Sequence, residues 1–383
     1  MADSNRVNTP RIDAAEILEG IRAWVEVETP STDGAAVNVL VEKVSADLAA
    51  LGATVERVPG RDGYGDHIRA RSPWGGEGPG ILLVSHLDTV WPKGTLARKP
   101  FRIDGDKVYG PGTYDMKGGG YLGFYAYRHL VRQAKETKLP ITFLFMADEE
   151  VGSPTSRRLI EETARNQKYA LVLEPGRPGN AVVTSRKAVG RFTMSVGGVA
   201  AHAGAKHEEG RSALAELARQ IVTLEGMTDY ARGITVNVGV ASGGTPGFAN
   251  VVPDKAGAEI DIRCPDEPTS AEMVERILGL KPVGADVTLE VEGGINRPSF
   301  VRDAKVEALY EHARKIATDL GQELPEVATG GGSDGNFTAA VGVPTLDGLG
   351  VVGAGAHAEH EHLLISSLEP RAALLLRLLE TLE

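Results

Sequence analysis

The sequence predicts an α/β protein: a mostly parallel sheet forms one domain, and an α+β domain of the split βαβ, ferredoxin-like kind is inserted into it. Three observations predict this. Short continuous apolar runs such as Ile81–Val84 and Ile141–Met146 are separated by amphipathic stretches with helical spacing. Continuous rather than alternating apolar residues suit strands covered on both faces by helices. Between about residues 187 and 294 the rhythm changes to strands that alternate as half-buried ones do, with the elements in the order β-α-β-β-α-β. Finally, each apolar run of the first kind ends in side chains able to bind a metal. That is the carboxyl edge, where open α/β sheets bind ligands.

Taken in order, the first elements are amphipathic helices from about Asp13 to Glu28 and from about Gly34 to Leu51, the second ending at Gly52. The apolar runs of "ILLVSHLDTV", "ITFLFMADEE", "ALVLEP" and "VPTLDGLG" follow as strands, and the helical pattern from Gly119 to Ala134 covers one face. In the middle region "RFTMSVGG" reads as a strand, "GRSALAELARQIVTLEGM" as a helix, and "ITVNVGVASGG" and "KAGAEIDIRC" as half-buried strands. "SAEMVERILGL" is a helix capped by Thr269 or Ser270, and "DVTLEVEGG" is the last strand. The expected domains are therefore 1–186 with 295–383, and 187–294 between them, the first resuming at "NRPSF".

Composition bounds the function. A chain of 383 residues is too long for one small core and comfortable for two domains. Its 42% hydrophobic and 24% charged residues are those of an ordinary globular protein. A net charge of −11 with no dense Lys/Arg block argues against nucleic acid and anionic membrane surfaces as partners. A single cysteine, Cys264, excludes both an intrachain disulfide and a cysteine-based zinc site. The polar start, "MADSNRVNTPRIDAAEI", has no apolar signal core and no stretch reaches membrane-spanning length, so a soluble, cytoplasmic protein is expected.

The first run leads to His86 and Asp88, the second to Asp148, Glu149 and Glu150, the third to Glu174, and the last to "GVVGAGAHAEHEH" with His357, His360 and His362. Asp115 lies in "YGPGTYDMKGGG", a Gly-rich turn before a helix. Any one of these acids alone also fits a solvated loop, His86 alone a satisfied core histidine, and "HAEHEH" alone an exposed helix start. Gathered at one sheet edge they would repel or stay undersatisfied without cations. Imidazole with carboxylate and no thiolate suits Zn²⁺, with Mn²⁺ or Co²⁺ also fitting. Glu149 and Glu150 follow a strand, and neighbours on an extended chain point to opposite sides. That alternation offers one carboxylate to a metal and the other to substrate and water; Asp148 is left with a structural role at the strand end.

"SHLDTV", "YGPGTYDMKGG", "DEEVGS", "LEP", "GVAAHAGA" and "GGGSDGNF" resemble, in that order, the signature segments of dinuclear zinc exopeptidases and amidohydrolases. That family includes glutamate carboxypeptidase, acetylornithine deacetylase, succinyl-diaminopimelate desuccinylase and aminoacylase. The likeness runs from about residue 15 to the C-terminus and is strongest to bacterial glutamate carboxypeptidases of the folate-hydrolysing type. It implies two zinc ions per subunit, one held by His86, Asp115 and Glu174, the other by Asp115, Glu150 and His357. Asp88 would orient His86 from behind, and Glu149 would be the general base. Two metals about 3.5–4 Å apart would polarise the scissile carbonyl and acidify the water between them. The resemblance also implies that the inserted domain mediates a homodimer and that His202 in "AAHAG" reaches across the interface to the oxyanion. His357 is preferred to His360 and His362 by its place after the Gly-rich segment and by Glu361 four residues on.

Asn250, Arg263 and Arg297 fall at positions that resemble the substrate-contacting residues of the carboxypeptidase. Arginine suits the α-carboxylate because its planar fork binds in two places, although Arg263 also fits a surface or interdomain ion pair. The backbone of Gly330–Gly335, with Gly332 and Ser333 at its centre, could present N–H groups at a helix start. The chain departs from the family pattern in "GAKHEEGRSALAEL", with His207 where proline is common and Arg211-Ser212 where Asn-Ala is usual. The implied activity is hydrolysis of an N-acyl or peptidyl amino acid to release the C-terminal amino acid, glutamate by the strongest likeness. A small-acyl deacylase and a non-catalytic metal-binding scaffold are the alternatives.

Overall fold

A computed structural model of the chain describes residues 12–383. They divide into two compact units: one of residues up to Ser185 with Arg302–Thr329 and Ser333–Glu383, the other of Arg186–Val301 with Gly330–Gly332.

The first unit is built on a six-stranded sheet in the order Thr54–Val58, His67–Arg71, Ile141–Met146, Ile81–His86, Tyr169–Val172, Thr345–Leu346. The last four are mutually parallel, and the hairpin Thr54–Val58/His67–Arg71 joins antiparallel to Ile141–Met146. The continuous apolar runs have the physical cause expected of them. Leu83, Phe143 and Phe145 point into one core with Trp24, Leu122 and Leu378, whereas Leu82, Val84, Leu144 and Met146 point into a second with Ile160 and Phe337. Successive side chains enter opposite cores, so both faces call for apolar residues, each large one worth roughly 1.5–3 kcal/mol when fully buried. Helices Ala14–Val25, Gly118–Arg132 and Leu368–Thr381 cover the first face; Arg157–Ala164 and Gly335–Ala340 cover the second. Asp13 and Asp33 cap the first two helices through side-chain oxygens that accept backbone N–H bonds.

Gly119 shows how this packing places the site. A Cβ there would sit 1.9 Å from the Leu173 carbonyl oxygen, so only glycine lets the start of the Gly118–Arg132 helix press against the strand end that leads to Glu174. Among the described residues, no helix is long and apolar enough to cross a membrane.

The second unit is a four-stranded antiparallel sheet in the order Thr235–Gly243, Lys255–Cys264, Ala188–Gly197, Thr288–Arg297. Helices Ala213–Glu225 and Glu267–Leu278 pack on one face, where Phe192, Met194, Leu217, Ile260 and Met273 form the core. This is the split βαβ order read from the sequence. Two details differ. Asp266, not Thr269 or Ser270, caps the second helix, accepting the Thr269 N–H at 2.9 Å. The last strand also runs past Gly294 through Arg297.

A candidate dinuclear metal centre

All the residues that could hold a metal at the sheet edge lie in the first unit. His86 is the last residue of its strand and is buried. A proton on Nδ1 satisfies the Asp88 backbone carbonyl at 2.9 Å, leaving Nε2 to face the cluster. The shorter brace on the imidazole is thus a main-chain oxygen, with the Asp88 carboxylate 3.4 Å away. That carboxylate is occupied elsewhere. Its two oxygens accept the backbone N–H groups of Glu149 and Glu150, each at 3.2 Å, and the Ser31 hydroxyl at 2.6 Å. Asp88 therefore locks the turn that carries both glutamates. Ser31 had no signal in the sequence, since it meets Asp88 only through the fold.

Glu149 and Glu150 do not lie on extended chain. They open a 3₁₀ turn, Glu149–Val151, in which successive side chains are about 120° apart rather than opposed. Strand alternation is thus not what separates them. Asp148 is buried and saturated by its own turn: Oδ2 accepts the Thr155 N–H at 2.6 Å, the Thr155 hydroxyl at 2.7 Å and the Ser156 N–H at 3.2 Å. Three adjacent acids are sorted by which donors the fold supplies.

Asp115 occupies the turn Thr113–Lys117, and the peptide bond that follows it is cis. One of its carboxylate oxygens is 3.4 Å from His86 Nε2 and the other 3.3 Å from His357 Nε2. His86 Nε2 also lies 3.9 Å from Glu174, and His357 Nε2 lies 3.0 Å from Glu150. An oxygen of Glu149 falls within 4.8 Å of ligand atoms on His86 and Glu174. Of the three C-terminal histidines, the fold brings His357 here, at φ +61° in a tight loop. His362 Nδ1 meets the His360 carbonyl and its ring lies against Tyr109.

The donor set fits divalent metal. Ligand atoms sharing a tetrahedral zinc at about 2.0–2.2 Å lie roughly 3.3–3.6 Å apart, and all four spacings above fall within a few tenths of an ångström of that range. Buried His86 Nε2 and Glu150 Oε1 have no hydrogen-bond partner, a costly arrangement that a cation would relieve. The electrostatics agree. Burial opposes ionisation of Asp115, but the imidazoles of His357 and His86 outweigh it and hold the carboxyl well below the usual carboxylate range. Asp115 and Glu150 together hold the His357 imidazole up to about 11. Burial pulls His86 down, yet the Asp115 and Asp88 carboxylates, each 3.4 Å from a ring nitrogen, leave it well above an ordinary histidine. Without metal, protons occupy the place of cations.

The other residues singled out from the sequence sit as follows. His202, Asn250, Arg263, Arg297 and Gly332 belong to the second unit. His202 is exposed, and its Nδ1 accepts the N–H groups of Gly204 and Ala205 at 3.1 Å, so the proton is on Nε2. Asn250 is exposed in the loop before Val251, its carbonyl accepting the Ala203 N–H. Arg263 is paired in two places with Asp261, at 2.7 and 3.0 Å. Arg297 is buried, and a Cβ on Gly332 would sit 2.8 Å from its Cδ. Ser333, in the first unit, is buried: its N–H is donated to Asn336 and its hydroxyl to Asp347.

Residues 82–381 match the family described as Peptidase family M20/M25/M40, and the chain belongs to that family. It is a hydrolase of a metal-dependent peptidase class. Over 371 residues it is 33% identical to carboxypeptidase G2 of Pseudomonas sp. (strain RS-16), covering 95% of this chain and 88% of that one. It is 28% identical to succinyl-diaminopimelate desuccinylase of Hydrogenovibrio crunogenus, with 84% and 88% covered. Its fold is similar to that of a tripeptidase from Staphylococcus aureus, with a TM-score of 0.80, 20% identity, and 97% and 99% of the two chains covered.

Proposed function

We propose that the protein is a two-zinc amidohydrolase that cleaves an N-acyl or peptidyl amino acid and releases its C-terminal amino acid, glutamate. The observation that carries the two-metal reading is Asp115, which turns one oxygen to His86 and the other to His357. Bound zinc would supply Lewis acidity for the scissile carbonyl and lower the pKa of the attacking water. Glu149, beside His86 and Glu174, takes the proton from that water and returns it to the leaving nitrogen. His202 Nε2–H, contributed by the partner subunit of a homodimer, donates to the oxyanion. Arg297, beside Gly332, holds the α-carboxylate; Asn250, whose carbonyl accepts the Ala203 N–H next to His202, and Ser333 are further substrate contacts in this reading, and Arg263 takes part only by giving up Asp261.

The glutamate reading rests on the motifs quoted above. The desuccinylase relative supports a second reading, in which a small acyl group dominates recognition. Comparing hydrolysis of N-acylglutamates with N-acetylornithine and N-succinyl-diaminopimelate in added zinc, cobalt or manganese separates the two. Arg297→Ala should raise KM by about 10–100-fold for substrates with a free α-carboxylate and leave carboxylate-free analogues near wild type. An equal rise for both kinds of substrate would remove the carboxypeptidase reading.

Support for the dimer lies in the second unit. Thr235–Gly243 is an edge strand, and Val240 on it and Val222 on the adjacent helix are 53% and 74% exposed. Open edges with apolar side chains invite pairing. Val240→Lys is expected to shift the protein from dimer to monomer in light scattering; a wild type that is already monomeric at micromolar concentration excludes the interface.

A further inference from the structure

We infer that Glu361 is a positioning residue for the second metal place, a clamp that sets the distance between the loop carrying His357 and the turn carrying Asp115. The inference rests on the two-metal reading above. Glu361 is buried and belongs to the same loop as His357. Its carboxylate reaches across to the other ligand segment. Oε1 accepts the backbone N–H groups of Tyr114 and Asp115, both at 3.1 Å. Oε2 accepts the Gly112 N–H at 3.1 Å and the Trp91 indole N–H at 2.6 Å. One side chain thus receives the backbone of the bridging aspartate and of the turn leading to it.

The surroundings hold both ends of the clamp in place. Gly112 has φ +74°, and a Cβ there would sit 2.7 Å from Thr89 Cγ2, so only glycine turns its N–H inward at this point. On the His357 side, Gly355 at φ +81° would bring a Cβ within 3.0 Å of the Glu361 nitrogen, and the Ala358 and Glu361 N–H groups close two successive turns. His357 and Glu361 are therefore held on one rigid loop. The Lys99 ammonium sits 3.9 Å above the Trp91 ring and pairs with Glu359 at 2.8 Å, covering the indole that donates to Glu361. All four partners are N–H donors, two to each oxygen. His86 is fixed differently, by its strand and by Asp88.

The consequence is selective. Loosening Glu361 should displace Asp115 relative to His357 and Glu150 while His86 and Glu174 keep their places. Glu361→Gln retains the shape but replaces one acceptor oxygen with an NH₂ group facing N–H donors. Cobalt titration of the metal-free protein, followed by visible absorption without substrate, reads the two places separately. In the wild type two equivalents bind. In E361Q the equivalent bound with His357 and Glu150 is expected to lose about 10–100-fold in affinity with an altered d–d band, while the other, which keeps His86 and Glu174, changes far less. Trp91→Phe removes one donor and leaves the carboxylate; it should shift the same equivalent by several-fold, and it carries the test should E361Q fail to fold. Equal loss of both equivalents, or wild-type binding of both, overturns the clamp. A wild-type chain that binds a single equivalent overturns the two-metal reading itself, a distinguishable result.

Discussion

Glu149→Gln is expected to keep two equivalents of zinc and lose about 10²–10⁴-fold in kcat, with KM little changed. The amide preserves the volume of the side chain and its backbone N–H bond to Asp88, but it cannot take up a proton. Glu150→Gln, one residue on, is expected to fail differently. Its carboxylate lies 3.0 Å from His357 Nε2 and has a buried oxygen without a hydrogen-bond partner, so the amide is a poor substitute for an anionic ligand. Metal content should fall, and activity should return with excess zinc. Elemental analysis of the two variants alongside steady-state kinetics decides the matter. If both lose metal equally, the separation of base from ligand is wrong.

Zinc uptake should strengthen with pH and release protons. In the metal-free protein Asp115 and Glu150 hold His357 up to about 11, and, against burial, the nearby Asp115 and Asp88 carboxylates hold His86 well above the ordinary range. A ligand imidazole must present a lone pair, so each metal displaces a proton and affinity rises about tenfold per pH unit for each proton displaced. The sign for metal-free stability is opposite. A histidine raised from its ordinary value of 6.5 to about 11 contributes stability fully below pH 6.5, and that stability is lost as pH rises through about 11. Calorimetry in buffers of different ionisation enthalpy should count about one proton per zinc between about pH 7 and 9. His357→Ala should abolish the proton belonging to the second metal. Proton-neutral binding in the wild type would show that the imidazoles are already neutral.

Much of the fold is legible in the sequence, and the misses have physical causes. Strands Ile81–His86 and Ile141–Met146 stand out because both faces are buried, which makes nearly all of their residues apolar. Thr54–Val58, "TVERV", gives no such signal because it lies at the sheet edge with its side chains half-buried or exposed. His67–Arg71, "HIRAR", hides two arginines in a strand whose partner, Ile141–Met146, lies far along the chain. The small sheet that shapes the His357 loop is assembled from strands of two or three residues, too short for any periodicity. Asp266 does not stand out as a cap because Thr269 and Ser270 are equally good cap residues by type. Only the backbone path selects among them.

The sequence by itself determined the α/β class, the split βαβ order of the middle region and the set of ionisable residues gathered at the sheet edge. Those follow from hydrophobic periodicity and from motif order, which are local properties of the chain. Tertiary structure decided the partners of each acid. Asp148 is spent on its own turn, Asp88 braces both His86 and the Glu149–Glu150 backbone, and Glu361 receives the turn of Asp115. Their chemistry is the same; what differs is which N–H groups and imidazoles the folded backbone brings within about 3–3.5 Å of each residue's oxygens.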